Sequence, residues 1–294
     1  MDIHELFGTM RRSQRNYGSE GIAGTALSAV DIALWDLKAK LLTQPLAKLL
    51  GTCRDSAPVY GSGGFTSYDD NQLRAQLGGW VEQGIPRVKM KIGTHPEHDS
   101  HRVAIAREAV GERAELFIDA NGAYSRKRAL YFAELFADKQ NVTWFEEPVS
   151  SDDLEGLRLL RDHAPAGMDI AAGEYGWNVL YLHRMMESGA VDVIQADATR
   201  CGGVTGFMQA VALAEAYPLP LSAHCGPTIH MHLACAAPPL RHVEYFHDHV
   251  RIERMFFDGF REAASDGAMH PDFARPGLGI ELKTSDAERF TDDL

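Results

Sequence analysis

Short apolar runs of this sequence end repeatedly in carboxylates. Asp119 closes the run "ELFID", Glu146 closes "TWFE" and Glu174 follows "MDIAAG", each about one strand-helix unit after the last. A single acid in such a place often caps the next helix. Three of them brought together would repel one another and have raised pKa values unless a cation lay among them. The trio therefore predicts a metal site, and its three hard oxygen donors favour Mg2+ over Zn2+ or copper.

Candidate acid-base residues flank these carboxylates along the chain. Lys89 and Lys91 are two residues apart in "RVKMKIG" and so point to the same side of a strand. Their mutual repulsion and a nearby metal predict a lowered pKa for one of them, which would make it a base near neutrality. His224 ends the run "LPLSAH", and Asp197 is placed to hold the tautomer of that imidazole. Two bases that face one metal suit the removal of a proton alpha to a carboxylate, because the metal would stabilise the charge that forms.

Each of these features has an ordinary explanation when it stands alone. A Lys-x-Lys pair is usually a solvated strand edge, "EEP" is commonly a surface turn, and a histidine after an apolar run is often a hydrogen-bonded core residue. Asp197 and Glu244 could be ion-pair partners, and Cys225 is interpreted as a small buried side chain. The four cysteines form no Cys-x-x-Cys pair, which predicts reduced thiols. The functional interpretation rests on the conjunction of ionisable residues at the ends of successive runs.

The elements that position these residues alternate from about residue 57 onward. Apolar runs predict strands, amphipathic stretches predict helices, and a spacing of roughly 20 to 30 residues predicts parallel strands with crossover helices. Eight such units favour a closed barrel over an open sheet, and a barrel brings the carboxyl ends of all its strands to one mouth. The second to eighth strands would deliver Lys89 and Lys91, Asp119 and Asn121, Glu146 and Glu147, Glu174, Asp197, His224 and Glu244.

The two ends of the chain differ from this pattern. Residues 1 to 55 are predicted to be helical, and a stripe over residues 22 to 42 requires a partner surface. The stripe consists of Leu27, Val30, Leu34, Leu37 and Leu41. Residues 251 to 294 are a less regular tail.

Composition excludes several classes of function. The chain has 294 residues, of which 45% are hydrophobic, and this is enough for a sizeable core. Its net charge of -12 offers no basic surface for nucleic acid. The start "MDIHELFGTMRRSQ" lacks the apolar region of a signal peptide, and no apolar stretch approaches the roughly 18 to 20 residues that span a bilayer. We therefore expect a cytoplasmic protein without nucleic-acid or membrane partners.

These motifs together resemble the mandelate racemase subgroup of the mandelate racemase/muconate lactonizing enzyme family, in the enolase superfamily. The resemblance runs from "GIAGTALSAVDIALWDLKAK" through "VKMKIG", "IDANG", "WFEEPV", "AAGE", "ADATRCGGVTG", "SAHCG" and "HVEYF" to "PGLGIEL". It implies an α/β fold, a modified TIM-type (β/α)7β barrel with an α+β capping domain. The chain would then comprise a helical remnant of that cap (residues 1–55), the barrel (56–250) and a tail that packs back on both (251–294).

The resemblance also implies a role for each site residue. The Mg2+ ligands would be Asp119, Glu146 and Glu174. The proton-transfer groups would be Lys91, tuned by Lys89, and His224, paired with Asp197. The groups that contact substrate would be Asn121, Lys89 and Glu244, with Glu244 hydrogen-bonded to the carboxylate or enediolate oxygen.

One departure from that family concerns the amino-terminal end. Family members usually carry substantially more residues there, which form a capping sheet and the loops that close over substrate. We therefore expect a truncated cap, and we hypothesise that Met1 is an internal or misassigned start. The stripe over residues 22 to 42 would lack its strands, so we expect self-association into a homo-oligomer.

The residues leave several activities open. An enediolate intermediate is common to acid-sugar dehydratases, racemases or epimerases, and cycloisomerases. We favour the dehydratase, with a small sugar acid or 2-hydroxy acid as its substrate. A Schiff-base aldolase that uses Lys91 is an alternative against which the carboxylate trio argues. A non-catalytic truncated barrel is an alternative of another class, and metal-dependent turnover would discriminate against it.

Overall fold

The computed structural model describes residues 1–290. Its helices are α1 (Ile3–Ser13), α2 (Ile22–Leu41), α3 (Leu46–Leu50), α4 (Asp70–Glu82), α5 (Asp99–Val110), α6 (Arg126–Gln140), α7 (Leu154–His163), α8 (Val179–Glu187), α9 (Gly203–Ala216), α10 (Pro227–Cys235), α11 (His247–Phe256) and α12 (Thr284–Ala287), followed by the 3-10 turn Glu288–Phe290. Its strands are β1 (Ala57–Gly63), β2 (Arg87–Lys91), β3 (Glu115–Asp119), β4 (Val142–Glu146), β5 (Asp169–Ala172), β6 (Val193–Ala196), β7 (Leu221–Ala223), β8 (Leu240–Phe246), β9 (Phe257–Asp258), β10 (Ala268–Met269) and β11 (Glu281–Leu282).

Eight parallel strands close into a barrel. The strands β1 to β8 pair in chain order, and β1 also pairs with β8, where Tyr60 lies opposite Glu244. Each of the helices α4 to α10 connects one barrel strand to the next. The predicted α/β barrel and its eight strand positions are therefore confirmed.

Local sequence explains how a connecting helix forms and which face it buries. At the start of α4 the Asp69 carboxylate accepts the backbone N–H of Gln72 at 2.8 Å, and the Asp69 N–H donates to the Gln72 side chain at 3.1 Å. This capping box satisfies two backbone donors that the first helical turn leaves free. Leu73, Leu77 and Trp80 form the buried face of α4.

An aromatic layer fills the barrel interior beneath the mouth. Phe117 and Trp144 lie two residues before Asp119 and Glu146 on their strands, so their side chains point the same way, one layer deeper. Their rings stack with centroids 5.2 Å apart, and the Tyr60 ring lies 5.5 Å from that of Phe117. All three rings are fully buried, so the layer forms a close-packed floor under the ends of β3 and β4.

The helix α2 packs on the barrel through small and polar residues. The Ser28 hydroxyl accepts the backbone N–H of Gly202 at 2.9 Å. Asp31 accepts the backbone N–H of Thr205 at 2.9 Å and the Thr205 hydroxyl at 2.7 Å. Because the first N–H groups of a helix have no partner within it, Ser28 and Asp31 cap α9 from a distant part of the chain.

The leucine stripe predicted on α2 is only partly buried. Leu27 is 5% exposed, whereas Val30, Leu37 and Leu41 are 48%, 47% and 70% exposed. Within residues 1–290 most of the stripe is therefore uncovered, and the partner surface that it requires stays a prediction. The side of α2 that carries Gly24 and Ser28 lies against α9. Small residues on this side permit the two helices to approach closely.

The carboxyl-terminal segment contacts both the barrel and the amino-terminal helices. The strand β10 pairs antiparallel with β1, and Ala57 lies opposite Met269. The Gly277 carbonyl accepts the N–H of Leu46 at 2.7 Å, and the Leu278 N–H donates to Asp36 of α2 at 2.7 Å. Among residues 1–290, no helix is both long enough and apolar enough to cross a membrane.

Candidate active site

The predicted site residues meet at one mouth of the barrel. Lys91, Asp119 and Glu146 are the last residues of β2, β3 and β4. The other strands deliver Glu174 two residues after β5, Asp197 directly after β6, His224 directly after β7 and Glu244 within β8. The carboxylates and His224 are all buried, so their charges interact with little screening by water.

Asp119, Glu146 and Glu174 form a compact cluster of oxygens. One carboxylate oxygen of each lies within 4.8 Å of the other two. Burial, followed by the charge of Asp119, raises the pKa of Glu146 to about 8. Among the described residues, Glu174 Oε2 has no hydrogen-bond partner. Crowded hard-oxygen donors with an unsatisfied oxygen fit Mg2+.

The two lysines of β2 have different surroundings. Lys89 is fully buried, and its Nζ lies 2.6 Å from Glu146 Oε1 and 2.8 Å from Glu244 Oε1. Lys91 forms an ion pair with Asp119, and 17% of its side chain is exposed. Lys91 is therefore the lysine that a substrate can reach.

Among the described side chains alone, the pKa of neither lysine is lowered, so the lowering expected beside a metal stays a prediction. Burial acts to lower the pKa of both ammonium groups, but the adjacent carboxylates outweigh it. Glu146 and Glu244 raise the pKa of Lys89 well above its usual value, and Asp119 raises that of Lys91. The same two lysines outweigh burial at Asp119 and hold the pKa of that carboxyl at about 2. A cation bound to these carboxylates would compete with the ammonium groups for their charge.

His224 and Asp197 form the pair that the sequence predicts. His224 Nδ1 lies 2.8 Å from Asp197 Oδ2, and its Nε2 lies 3.3 Å from Glu174 Oε2. Asp197 is held in turn, because its Oδ1 accepts the backbone N–H and the hydroxyl of Thr199, both at 2.7 Å. The pair therefore presents the Nε2 of a fixed imidazole to the carboxylate cluster.

Two further residues that support this pair were not predicted. Arg200 Nη1 donates to the Glu174 carbonyl at 3.1 Å, and its Nε lies 3.6 Å from Asp197 Oδ2. Its position in "ADATRCGG", three residues after Asp197, is a signal that could have identified it. The other residue is His230 on α10, which is fully buried.

His230 joins the two loops that carry the histidine-aspartate pair. Its Nε2 accepts the backbone N–H of Ala198 at 2.9 Å, and its Nδ1 lies 2.7 Å from the Cys225 carbonyl oxygen. Since Nε2 is an acceptor, Nδ1 carries the proton and donates, so the ring is neutral. Burial lowers the pKa of His230, which agrees with this assignment. No sequence signal reveals the bridge, because Ala198 lies 32 residues away from His230 in the chain.

Two clefts open beside the carboxylate cluster. One of about 600 Å3 includes Glu147, Tyr175 and Arg184, and the other, of about 510 Å3, includes Lys91. Asn121 lines both clefts, and its backbone N–H donates to Asp119 Oδ1 at 2.8 Å. The mouth therefore has room for a small carboxylate next to Lys91 and Asn121.

Comparison with known proteins identifies two family domains. Residues 72–287 match the model described as enolase C-terminal domain-like. Residues 2–51 match the mandelate racemase/muconate lactonizing enzyme N-terminal domain. A solved mandelate racemase/muconate lactonizing enzyme-like protein from Rubrobacter xylanophilus is 52% identical, with a TM-score of 0.96 over 99% of this chain and 80% of that protein.

Relatives with named activities match nearly the whole chain. L-talarate/galactarate dehydratase from Salmonella typhimurium is 33% identical over 99% of this chain and 71% of its own length. Its structure has a TM-score of 0.90, with coverage of 99% and 72%, and a variant of it has been solved with Mg and L-glucarate. A 3,6-anhydro-alpha-L-galactonate cycloisomerase from Streptomyces coelicolor is 33% identical over 95% of this chain and 76% of its own.

Proposed function

The chain belongs to the mandelate racemase/muconate lactonizing enzyme family of the enolase superfamily, and we propose that it is a Mg2+-dependent acid-sugar dehydratase. One observation carries this proposal. Lys91 is the last residue of β2, and His224 comes directly after β7. The two side chains lie on opposite sides of the barrel, with the carboxylate cluster between them. Proton-transfer groups on two sides of one site suit a reaction that removes a proton and protonates a leaving hydroxyl.

Asp119, Glu146 and Glu174 would hold the Mg2+. When bound, the ion supplies positive charge that favours the enediolate form of a substrate carboxylate. Lys91 is the accessible lysine and would take the alpha proton. Lys89 is buried between Glu146 and Glu244, so it fixes both side chains and influences Lys91 through its charge.

His224 would act on the side opposite Lys91. Asp197 fixes its ring through Nδ1, which leaves Nε2 to deliver a proton to the beta-hydroxyl as that group departs. Glu244 lies within 3.6 Å of His224 Nε2 and would hydrogen-bond an oxygen of the substrate. Asn121, which lines both clefts, would contact the remainder of the sugar acid.

A second candidate is isomerisation of the same class of substrate. The Streptomyces coelicolor relative is named a cycloisomerase and is as similar in sequence as the dehydratase. Racemisation or epimerisation would also use a base on each side of the site. These reactions share the initial proton abstraction, so the product distinguishes them.

Proton NMR in D2O tests the proposal. The protein with Mg2+ is incubated with a panel of aldonic and aldaric acids, beside Lys91→Met and His224→Asn variants. A keto product that forms only with metal and both residues supports dehydration. Deuterium at the alpha carbon with inverted configuration and no keto product would support an epimerase instead. Absence of both products across the panel would favour the non-catalytic alternative. Cytoplasmic location and a homo-oligomeric state stay predictions from the sequence.

A further inference from the structure

We propose that His224, Cys225 and Glu244 form a second cation site, selective for Zn2+ or an ion of similar preference, and that its occupation blocks proton transfer by His224. The site adjoins the carboxylate cluster, since His224 Nε2 lies 3.3 Å from Glu174 Oε2, but it differs from the cluster in mixing a nitrogen, a sulfur and an oxygen donor. Only the inhibitory effect rests on the proposed function. The binding proposal itself rests on the positions of three buried side chains.

The three donor atoms have the mutual spacing of a tetrahedral site. Cys225 Sγ lies 3.3 Å from His224 Nε2 and 3.5 Å from Glu244 Oε2, and the nitrogen lies 3.6 Å from that oxygen. With metal-sulfur bonds of about 2.3 Å and metal-nitrogen or metal-oxygen bonds of about 2.0 to 2.1 Å, tetrahedral ligands lie roughly 3.3 to 3.6 Å apart. The side chains could therefore bind an ion with little movement.

Surrounding groups hold each ligand in the orientation that coordination requires. Asp197 binds Nδ1 of His224, which leaves Nε2 as the donor, and carboxylate-histidine pairs of this kind commonly support zinc. Lys89 binds Oε1 of Glu244 and leaves Oε2 towards Cys225. The three ligands leave a fourth position for water.

The backbone directs the Cys225 thiol into the site. Cys225 has a left-handed φ of 53°, which is uncommon for a residue with a Cβ. Its N–H donates to Glu244 Oε2 at 3.0 Å, and its carbonyl accepts from His230, so the conformation is held from both sides. The prediction that Cys225 is buried is confirmed, since it is 5% exposed. Its thiol, however, contacts the His224 nitrogen instead of filling an apolar gap.

The donor set determines which ion the site takes. A thiolate with an imidazole favours Zn2+ over Mg2+, whereas the all-oxygen cluster of Asp119, Glu146 and Glu174 favours the reverse. Coordination replaces the thiol proton, which passes to solvent. The lone pair of His224 Nε2 is then bound to the ion, so this nitrogen can no longer carry a proton to or from a substrate.

Cobalt is a direct probe of this site because a cobalt-thiolate bond absorbs in the near ultraviolet. Co2+ is titrated into the protein in excess Mg2+, in a Cys53→Ser background that removes the exposed thiol. We expect a sulfur-to-cobalt band that saturates at one ion per chain and is displaced by Zn2+. Cys225→Ser and Cys225→Ala should both lose the band, and a circular dichroism spectrum like that of the parent shows that each has folded. Absence of the band in the parent, or its persistence in either folded variant, overturns the proposal.

Inhibition is measured separately on any substrate that the NMR panel identifies. Zn2+ should inhibit the Mg2+-loaded parent, and Cys225→Ser should raise the inhibitory concentration roughly tenfold or more, with each protein normalised to its own uninhibited rate. An unchanged inhibitory concentration would refute the blocking role. Because the cobalt titration needs no substrate, failure of the dehydratase assay leaves the binding test intact.

Discussion

Lys89 and Lys91 lie two residues apart on β2, yet only Lys91 reaches the cleft. Lys89 is fully buried among Glu146, Glu244 and Asp119, whereas Lys91 keeps part of its side chain exposed. Two substitutions of the same chemical kind on one strand should therefore have different effects.

Lys91→Met should abolish turnover and leave the fold intact. It removes the accessible base, and loss of a general base typically costs about 100- to 10,000-fold in rate. Steady-state kinetics with circular dichroism tests this expectation. Activity within a factor of a few of the parent would show that another group takes the proton.

Lys89→Met should destabilise the protein. It leaves Glu146 and Glu244 buried without their shared counter-charge, and removing one partner of a buried ion pair costs about 3 to 5 kcal/mol. Urea unfolding of this variant and of Lys91→Met, in the same buffer, provides the comparison. Equal stability of the two variants would contradict the assignment of Lys89 as the buried counter-ion.

Mg2+ should stabilise the folded chain through the carboxylate cluster. A ligand that binds only the folded state adds about 2.7 kcal/mol at 100 times its dissociation constant. Asp119→Asn and Glu174→Gln should lose most of this increment in thermal unfolding with and without Mg2+. Glu253→Gln is a matched control, since Glu253 is a half-buried acid that accepts from Thr228 and is not part of the cluster. An increment that survives in the cluster variants would place the ion elsewhere.

His230→Leu should slow the loss of the beta-hydroxyl, which depends on His224, more than it slows alpha-proton abstraction by Lys91. The substitution leaves the Ala198 N–H and the Cys225 carbonyl without their partner, and each unsatisfied buried group costs about 1 to 3 kcal/mol. The loops that hold Asp197 and His224 would then shift. Alpha-proton exchange into D2O should persist while keto product falls. A parallel loss of both signals would indicate general unfolding instead of misplacement of one pair.

The sequence was sufficient to predict the strands and most of the site. Seven of the eight barrel strands carry an ionisable residue at or near their carboxyl ends, so Asp119, Glu146 and His224 could be assigned to one mouth from the sequence. The pKa values of the site lysines could not be predicted from the sequence in the same way. The pKa of Lys91 depends on its contact with Asp119, which is formed by the pairing of β2 with β3.

Contacts between distant segments account for the other differences. Hydrophobic periodicity detects Leu37 and Leu41 on α2, but it does not reveal that Asp31 caps α9. The role of His230 depends on Ala198, a residue 32 positions away in the chain. Neither relationship has a local pattern, so only the folded arrangement shows it.

Stability should fall as the pH drops through the range set by His232. This residue is buried on α10, and its Nε2 donates to the Leu278 carbonyl at 3.1 Å. Burial lowers its pKa from 6.5 to about 4. Below pH 6.5 the unfolded chain therefore binds a proton at His232, whereas the folded chain does not. The stability present above pH 6.5 is lost progressively as the pH falls towards 4.

His232→Gln should remove this part of the pH dependence. Because His232 stays neutral in the folded parent, its free energy of unfolding should be about 2 kcal/mol lower at about pH 5 than at about pH 7.5. Urea unfolding at the two pH values gives the decline for each protein, and the variant should show the smaller one. Equal declines would mean that His232 is protonated in the folded state.

The pairing of β1 has a consequence for the order in which the chain folds during synthesis. The strand β1 pairs with β2, which follows it closely, but also with β8 and β10, which are synthesised only after β2 to β7. On the ribosome, one edge of β1 must therefore stay unpaired until most of the barrel has emerged. Contacts between such distant segments form slowly, and an open strand edge invites pairing with other nascent chains. The barrel thus cannot close before β8 has been synthesised, and this interval is when the chain has most need of a chaperone.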